Sequence, residues 1–86
     1  MSMIKVRDGA AVWREIDGET ILLALKASVY LGLNHTGTML WEAMVGGTTS
    51  EDLTDLLVAQ FAIDRKDAAS DVAAFVDGCR AHGLLE

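Results

Sequence analysis

The side chains that most often carry catalysis or bind metals are few in this sequence. It has two histidines, His35 and His82, and one cysteine, Cys79. A nucleophile needs a base within hydrogen-bond reach, and a metal site needs three or four ligands at characteristic spacings. Neither histidine has a Cys or His partner at such a spacing, and Cys79 falls on an apolar stripe, as a small core residue does. We therefore predict no catalytic residue, no metal site and no cofactor.

The remaining candidates for chemistry are acids within one helical stretch, at Asp64, Asp67, Asp71 and Asp77. They could form a general acid/base cluster, but a solvated helix face is the simpler interpretation. Asp67 and Asp71 are four residues apart, so they lie on the same face, where like charges cost about a few tenths of a kcal/mol. That arrangement predicts a basic partner.

The charge and composition indicate a folded domain that binds protein or peptide. Seven Lys and Arg against thirteen Asp and Glu give a net charge of −6, which repels nucleic acid and anionic lipid surfaces. Hydrophobic residues make up 51% of the 86 residues, enough for one compact core but not for two. We therefore interpret residues 1–86 as a single domain, a monomer or weak dimer, with no nucleic-acid or membrane partner.

Three features of the sequence favour a cytoplasmic location. The longest apolar runs are far shorter than the roughly 18 residues that a membrane span needs. The first eight residues lack the apolar segment of a secretory signal. A single cysteine cannot form an internal disulfide, which fits a reducing compartment.

The elements that would position these side chains begin with three strands within residues 11–34. Turn residues at Asp17-Gly18 and at 26–28 separate stretches of alternating apolar residues, and Asp-Gly suits a tight hairpin because Gly accepts positive φ. The alternating positions are Val12, Ile16, Ile21, Leu23, Leu25, Val29, Leu31 and Leu33. A three-stranded antiparallel meander leaves its third strand, from Ser28 to Leu33, as an open edge unless the first strand folds over it.

Three helical stretches follow the strands. The first ends at Gly46-Gly47, the second follows hydroxyl caps at 48–50, and the third runs from Asp64 to Gly83. Their apolar positions are Leu40, Trp41 and Met44, then Leu53, Leu56, Leu57 and Phe61, then Ala68, Val72, Phe75, Val76 and Cys79. Because a three-stranded meander cannot bury its apolar face alone, the helices should pack on one side of it. The predicted fold class is α+β.

Four aromatic residues divide into two kinds. Trp41 and Phe61 fall at helical core positions and need no functional explanation. Trp13 and Tyr30 are out of phase with the aliphatic residues of their strands. Either of these two is therefore a candidate for lining a binding surface.

Residues 29–42, VYLGLNHTGTMLWE, resemble the PqqD-like family, whose members carry a strand ending in Leu-Asn and then a helix with Thr-Gly and Trp-Glu. The likeness continues through the turn at 46–53, the junction at 61–64, the Asp71-Val72 and Phe75-Val76 pairs and the ending at 83–85. Each piece alone is weakly specific, but the ordered set covers nearly the whole chain, from about Val6 to Leu85.

The resemblance implies a winged helix-turn-helix-like recognition element for precursor peptides, with a three-stranded antiparallel sheet followed by three helices. In this family the leader peptide adds a strand to the third strand, and the third helix forms the other wall of the groove. Carried over by position, the edge comprises Ser28, Val29, Tyr30, Leu31, Gly32 and Leu33, and the helix wall comprises Asp67, Ala68, Asp71, Val72 and Phe75. For three of these residues, Leu33, Val72 and Phe75, packing in the core is the alternative to contact with the peptide. Small Gly32 and Ala68 would admit a bulky leader side chain.

The free-standing members that the chain resembles most are the lasso-peptide leader-binding proteins, which present the precursor to a leader peptidase and a cyclase. The resemblance therefore implies a non-catalytic protein whose partners are a precursor leader peptide, the leader peptidase and other modifying enzymes. The alternative within the family is the peptide chaperone that serves a radical SAM enzyme in pyrroloquinoline quinone biosynthesis.

Two interpretations from other classes stay open. One is a winged-helix DNA-binding regulator, but the stretch from Asp64 to His82 carries four acids against three basic residues, whereas a recognition helix presents a basic face to phosphate. The other is a subunit that docks a folded protein through the same strand edge. Affinity for a linear peptide would separate that subunit from a leader-binding domain.

Overall fold

The computed structural model describes residues 3–86, which form three strands followed by three helices. The strands are β1 (Ala11–Ile16), β2 (Glu19–Ala24) and β3 (Val29–Leu33), and the helices are α1 (His35–Gly46), α2 (Ser50–Phe61) and α3 (Arg65–Ala81). The sheet is antiparallel, in the order β1-β2-β3. The predicted α+β class is confirmed, and the layout fits a winged-helix-like domain.

The β1–β2 hairpin forms where the Asp-Gly pair predicted it. Ile16 pairs with Glu19, so the loop has two residues, and Asp17 and Gly18 both have positive φ, at 53° and 80°. Positive φ at both central positions is the geometry of a type I′ turn, whose twist matches that of the flanking strands. The second turn also contains a left-handed residue, Ser28, with a φ of 57°. β3 therefore starts one residue later than predicted.

The helices cover one face of the sheet, which we call the inner face. Ala11, Leu22 and Ala24 are buried there. The hydroxyl of Thr20 in β2 lies 2.8 Å from that of Thr38 in α1. This hydrogen bond satisfies two buried polar groups and ties the central strand to the first helix.

The aliphatic residues whose alternation indicated the strands do not all form the buried face, which corrects the sequence interpretation. Val12, Ile16 and Ile21 lie on the opposite, outer face and are 58%, 48% and 53% exposed. Alternation along a strand separates two faces but does not say which one meets the helices. Of the same series, Val29, Leu31 and Leu33 lie on the inner face, opposite Ala24, Leu22 and Thr20 of β2.

The two ambiguous aromatic residues have different surroundings. Trp13 lies on the inner face and packs edge-on against the buried Trp41, with ring centroids 5.4 Å apart and an interplanar angle of 85°. Tyr30 lies on the outer face and is 74% exposed. Trp13 packs on the core yet is 43% exposed, and both Trp13 and Tyr30 line a cavity of the sheet, so both remain candidates for a binding surface.

The helical core follows the predicted positions with a clear exception. The buried residues at those positions are Leu40, Trp41 and Met44 in α1, Leu53 and Leu57 in α2, and Ala68, Val72, Val76 and Cys79 in α3. Phe61 was predicted to be in the core, but it is 47% exposed. It is the last residue of α2, and Ala62 turns the chain with a left-handed φ of 50° before the side chain can reach the core.

The segment that precedes β1 leaves the β3 edge open. Ile4 forms an isolated bridge with Thr48, and Val6 forms another with Leu85. The segment therefore joins the α1–α2 loop and the C-terminal residues, and β1 stays on the far side of β2. Within residues 3–86, no strand pairs with the outer edge of β3.

Candidate functional site

The open edge of β3 and the side of α3 border a groove, which we call the β3–α3 groove. Two cavities lie along it, and both are lined by Gly32 and Leu33 of the strand and by Phe75 of the helix. β3 has no partner strand on this side in the described part of the chain. Its free backbone donors and acceptors can pair with another extended chain. The groove thus offers backbone hydrogen bonding along one side and side chains along the other.

The larger cavity, of 510 Å³, lies where β3 ends and α1 begins. Leu40 and Leu57, both buried, form an apolar base. Asn34 and Thr36 supply polar groups, and Asp71 of α3 is the only charged residue that lines this cavity in the described chain. The arrangement suits a side chain with an apolar stem and a cationic or hydroxyl end.

The smaller cavity, of 250 Å³, lies farther along α3 and is mainly apolar. Leu31 lines it from the strand, and Ala74, Gly78 and Cys79 line it from the helix. The ring of His82 closes one end, where Nδ1 lies 2.8 Å from the Gly78 carbonyl oxygen. This cavity suits an apolar side chain of a bound peptide.

Gly37 sets how closely β3 and the wall residue Phe75 approach α1. A Cβ atom at this position would lie 3.2 Å from Leu33 Cβ and 3.4 Å from Phe75 Cε1. The first turn of α1 is held here by its N-cap, because the Gly37 N–H donates to Asn34 Oδ1 at 2.8 Å. A larger residue at position 37 would push against both walls of the cavity.

The structure brings part of the predicted site together. The predicted residues that line the two cavities are Leu31, Gly32, Leu33, Asp71 and Phe75. Ala68 and Val72 are 0% and 1% exposed, so they support the helix wall from beneath and offer no free surface in this conformation. Direct contact of either residue with a peptide stays a prediction.

The other predicted residues lie outside the cavities. Asp67 is exposed on α3, one turn before Asp71. Ser28 and Val29 are exposed at the start of the edge, and Tyr30 faces the outer side of the sheet. Backbone pairing could still involve these strand residues, because strand addition does not depend on where their side chains point.

Several lining residues were not among the predicted site residues. Asn34, Thr36 and Gly37 line the larger cavity, and Cys79 and His82 line the smaller one. Asn34, Thr36 and Gly37 belong to the Leu-Asn and Thr-Gly motif. The position of this motif at the end of an open strand was the signal that could have predicted them as site residues. Cys79 and His82 follow Phe75 by about one and two helical turns, and only the orientation of α3 reveals their position.

A second surface is formed by the apolar side chains on the outer side of the sheet, and we call it the outer sheet face. It comprises Val12, Ile16, Ile21, Leu23 and Tyr30, around a shallow cavity of 390 Å³. Clustered exposed apolar side chains of this kind mark interaction surfaces in soluble proteins. Tyr30 belongs both to this face and to the open edge strand.

Cys79 should react slowly with alkylating reagents in the native protein. The thiol is buried and free, and burial raises its pKa to about 11, so little of the reactive thiolate is present at pH 8. We expect iodoacetamide labelling, followed by mass spectrometry, to be at least about tenfold slower without urea than with it. Rapid labelling of the native protein would contradict the burial of Cys79 in the groove wall.

An open strand that faces a helix across a partly apolar groove defines a domain suited to binding an extended peptide. The chain belongs to the PqqD family: the family model described as coenzyme PQQ synthesis protein D matches residues 19–85. None of the curated proteins matches the chain.

Two solved structures resemble the whole domain. One is described as TbiB1 in complex with the TbiA(beta) leader peptide; it is 32% identical, has a TM-score of 0.85, and the match covers 95% of this chain and 94% of that one. The other is described as lasso peptide synthetase B1 complexed with the leader peptide; it is 23% identical, has a TM-score of 0.81, and the match covers 96% of each chain. The second likeness is evidence of fold alone.

Two further observations concern the described residues. Within residues 3–86, no group of three or more His, Cys, Asp or Glu side chains is placed to hold a metal ion. In the same range, none of the helices has the length and hydropathy of a membrane span.

Proposed function

We propose that this protein is a non-catalytic, cytoplasmic binding domain that holds the leader segment of a ribosomally synthesised precursor peptide. The leader adds a strand to β3, and the domain presents it to a leader peptidase and a cyclase in lasso-peptide biosynthesis. The observation that carries the proposal is the unpaired edge of β3 beside two cavities. It is supported by the 32% identical relative, which is described as a leader-peptide complex.

Strand addition and side-chain pockets have separate roles in this proposal. Main-chain hydrogen bonds to β3 give affinity that depends little on sequence, whereas alternate side chains of the peptide enter the cavities and give selectivity. The five residues of β3 span about 16 Å at roughly 3.3 Å per residue. The recognised segment is therefore short, with flanking residues free to reach an enzyme.

Fluorescence anisotropy with a labelled leader peptide tests the proposal. The peptide is taken from the short precursor gene nearest to the gene of this protein, and the matched control is the core segment of the same precursor. We expect a Kd in the range of about 10 nM to 10 μM, on the order of −7 to −11 kcal/mol, because a few pockets and one strand must offset the ordering of a flexible peptide. Absence of leader binding, or equal binding of the core segment, would refute leader recognition.

A second candidate function is favoured by the family match itself. The model for coenzyme PQQ synthesis protein D covers residues 19–85, so a peptide chaperone for a radical SAM enzyme would use the same groove. The same titration with the precursor peptide of pyrroloquinoline quinone separates the two functions. Tighter binding of that precursor than of the lasso leader would select the chaperone.

Presentation to an enzyme requires a second surface, and we propose that the leader peptidase docks on the outer sheet face. This face continues onto β3 through Tyr30, so a leader added to β3 would extend it by one strand. An enzyme docked there would contact the domain and the bound leader together. Recognition of this combined surface would couple docking to leader binding.

Replacing Ile21 with lysine should separate leader binding from processing. The side chain is 53% exposed on the outer sheet face, so we expect the leader Kd to change by less than about twofold and the cleavage rate by the leader peptidase to fall by about tenfold. Val45→Lys is the matched control, because Val45 is an exposed apolar residue of α1 outside that face. Equal cleavage rates for Ile21→Lys and the control would show that the enzyme docks elsewhere.

A further inference from the structure

The β3–α3 groove continues beyond β3 into a third cavity, and this extended groove has opposite charges at its two ends. The larger cavity lies at the Asp71 end, the smaller one lies beside Phe75 and Cys79, and a third cavity of 260 Å³ lies at the end of α3. Neighbouring cavities share lining residues: Phe75 joins the first pair, and His82 joins the second. The three therefore follow one another along α3, from Asp71 to His82.

The third cavity gathers basic side chains in an otherwise acidic protein. Lys26, Arg80 and His82 line it, with no acid among its lining residues in the described chain. The stem of Lys26 packs over Gly83, where a Cβ atom would lie 3.1 Å from Lys26 Cδ. This glycine, with a φ of 71°, lets the turn after α3 pass beneath the lysine. The basic end of the groove is thus built by the β2–β3 turn and the end of α3 together.

At the acidic end, one carboxylate lines the cavity above an apolar base. Asp71 is the charged residue of the larger cavity, and Asp67 adds a second carboxylate one turn earlier on the helix. Asp71 forms no ion pair within residues 3–86, where the salt bridge is formed by Arg65 and Asp55. Its carboxylate is therefore available to a cation from a bound peptide.

We propose that this polarity selects the leader segment and its direction: the recognised peptide carries a basic residue over Asp71 and an acidic residue over Lys26. The proposal rests on the proposed strand addition to β3. From Leu33, which lines the Asp71 cavity, to Val29, which follows the turn that holds Lys26, β3 spans four residues, or about 13 Å, and positions four apart in an added strand face the same side. One apolar side chain between them enters the smaller cavity.

The polarity also assigns which end of the peptide is basic. Antiparallel pairing is slightly more stable than parallel pairing, and both pairings within this sheet are antiparallel. In an antiparallel fourth strand, the peptide begins beside Leu33 and ends beside Val29. The basic residue is therefore the N-terminal one, and the acidic residue follows about four residues later, on the same face of the strand. Without the basic cavity, the net charge of −6 would favour a peptide that is basic along its whole length.

Two synthetic peptides of equal composition test the proposal by anisotropy titration against the full chain. Both carry the same apolar centre, and one has lysine before and glutamate after it, while the other has the two charges exchanged. The first peptide forms two ion pairs where the exchanged one meets like charges, so we expect the first to bind about tenfold tighter, with a smaller difference at 1 M salt. Equal affinities at low salt would overturn the charge selection.

Protein variants give a reciprocal test. In the double variant Asp71→Lys with Lys26→Glu, the exchanged peptide should become the tighter ligand. The matched control is Asp77→Lys with Lys66→Glu, which makes the same charge changes on α3 outside the three cavities and should keep the original order of affinities. The same order of affinities in the double variant and the wild type would also overturn the proposal.

These measurements distinguish failure of the polarity from failure of strand addition. A third peptide, with both charged residues replaced by glutamine, measures binding without the charges. If all three peptides bind equally well and all lose affinity in a Gly32→Pro variant, the groove binds extended peptides and only the charge selection is wrong. If none binds, and the natural leader also does not bind, the proposed function itself fails.

Discussion

A Gly32→Pro variant should lose leader binding while keeping its fold. The two-residue hairpin makes Ile16–Glu19 a hydrogen-bonded pair, so alternate residues of β2, from Thr20 to Ala24, bond to β3 through Val29, Leu31 and Leu33. The N–H of Gly32 therefore points to the outer edge of β3, which is unpaired within the described chain. Proline has no N–H to donate and fixes φ near −65°, so it distorts the edge that a fourth strand would join. Loss of two net hydrogen bonds of about 1 kcal/mol each corresponds to a Kd increase of about 30-fold or more. Anisotropy titration measures this change, and circular dichroism with thermal unfolding checks the fold.

Gly32→Ala is the matched control for the proline variant. It retains the backbone N–H, and a Cβ atom at this position would meet no atom within 4 Å. The difference between the two variants therefore isolates the backbone contribution from the side-chain contribution. If the proline variant folds and binds the leader as tightly as the alanine variant, strand addition to β3 is wrong.

N-methylation of the leader tests the same pairing without changing the protein. Along a strand, successive N–H groups point to opposite sides, so only every second leader amide can donate to β3. We expect a scan of singly methylated peptides to show losses at alternate positions, each about fivefold or more. Losses without this alternation would indicate a bound conformation other than a strand.

The sequence predicted the order of the elements because its local signals agree with the final packing. The Asp17-Gly18 pair forms a two-residue turn with positive φ at both positions, and Asn34, Thr49 and Asp64 cap the three helices with their side chains. Turn and cap geometry depend on neighbours in the chain, so they can be read without knowledge of the tertiary fold. These signals also placed β3 at the edge of the sheet.

The buried face of the sheet could not be predicted in the same way. Ile21 and Leu22 are adjacent, both aliphatic, and face opposite sides, yet one is 53% exposed and the other 1%. Which face is covered depends on where the helices pack, and Thr20 and Thr38 meet there by a hydrogen bond that no periodicity indicates. A strand with apolar residues on both faces leaves this choice to tertiary packing.

The helix wall of the groove shows the same dependence on tertiary packing. Asp71 and Val72 are neighbours about 100° apart around α3, and Asp71 lines the larger cavity while Val72 is 1% exposed. The apolar stripe predicted which side of α3 meets the core, and the groove lies along the margin of that stripe. A shift of the helix by one residue would exchange the two roles. Phe75 lies at this margin, both in contact with the core and in the groove.

Truncation of Phe75 to alanine should therefore weaken leader binding strongly at a moderate cost in stability. The ring lines both cavities of the β3–α3 groove and is only partly buried. Its removal joins the two cavities, so neither would fit a single peptide side chain closely. Aromatic residues at the centre of an interface often contribute about 2 kcal/mol or more, which corresponds to a Kd increase of about 30-fold.

Phe61→Ala provides the control for the Phe75 variant. Both residues are phenylalanines on helices, but Phe61 is 47% exposed at the end of α2 and lines neither groove cavity. We expect its leader Kd to stay within about twofold of the wild-type value, because residues outside an interface contribute little to binding. The leader Kd of Phe75→Leu should lie between the values of the two alanine variants, since leucine keeps an apolar side chain but not the planar ring. If Phe75→Ala binds the leader as well as Phe61→Ala does, the peptide pairs with β3 without entering the cavities. Selectivity would then have to come from outside the β3–α3 groove.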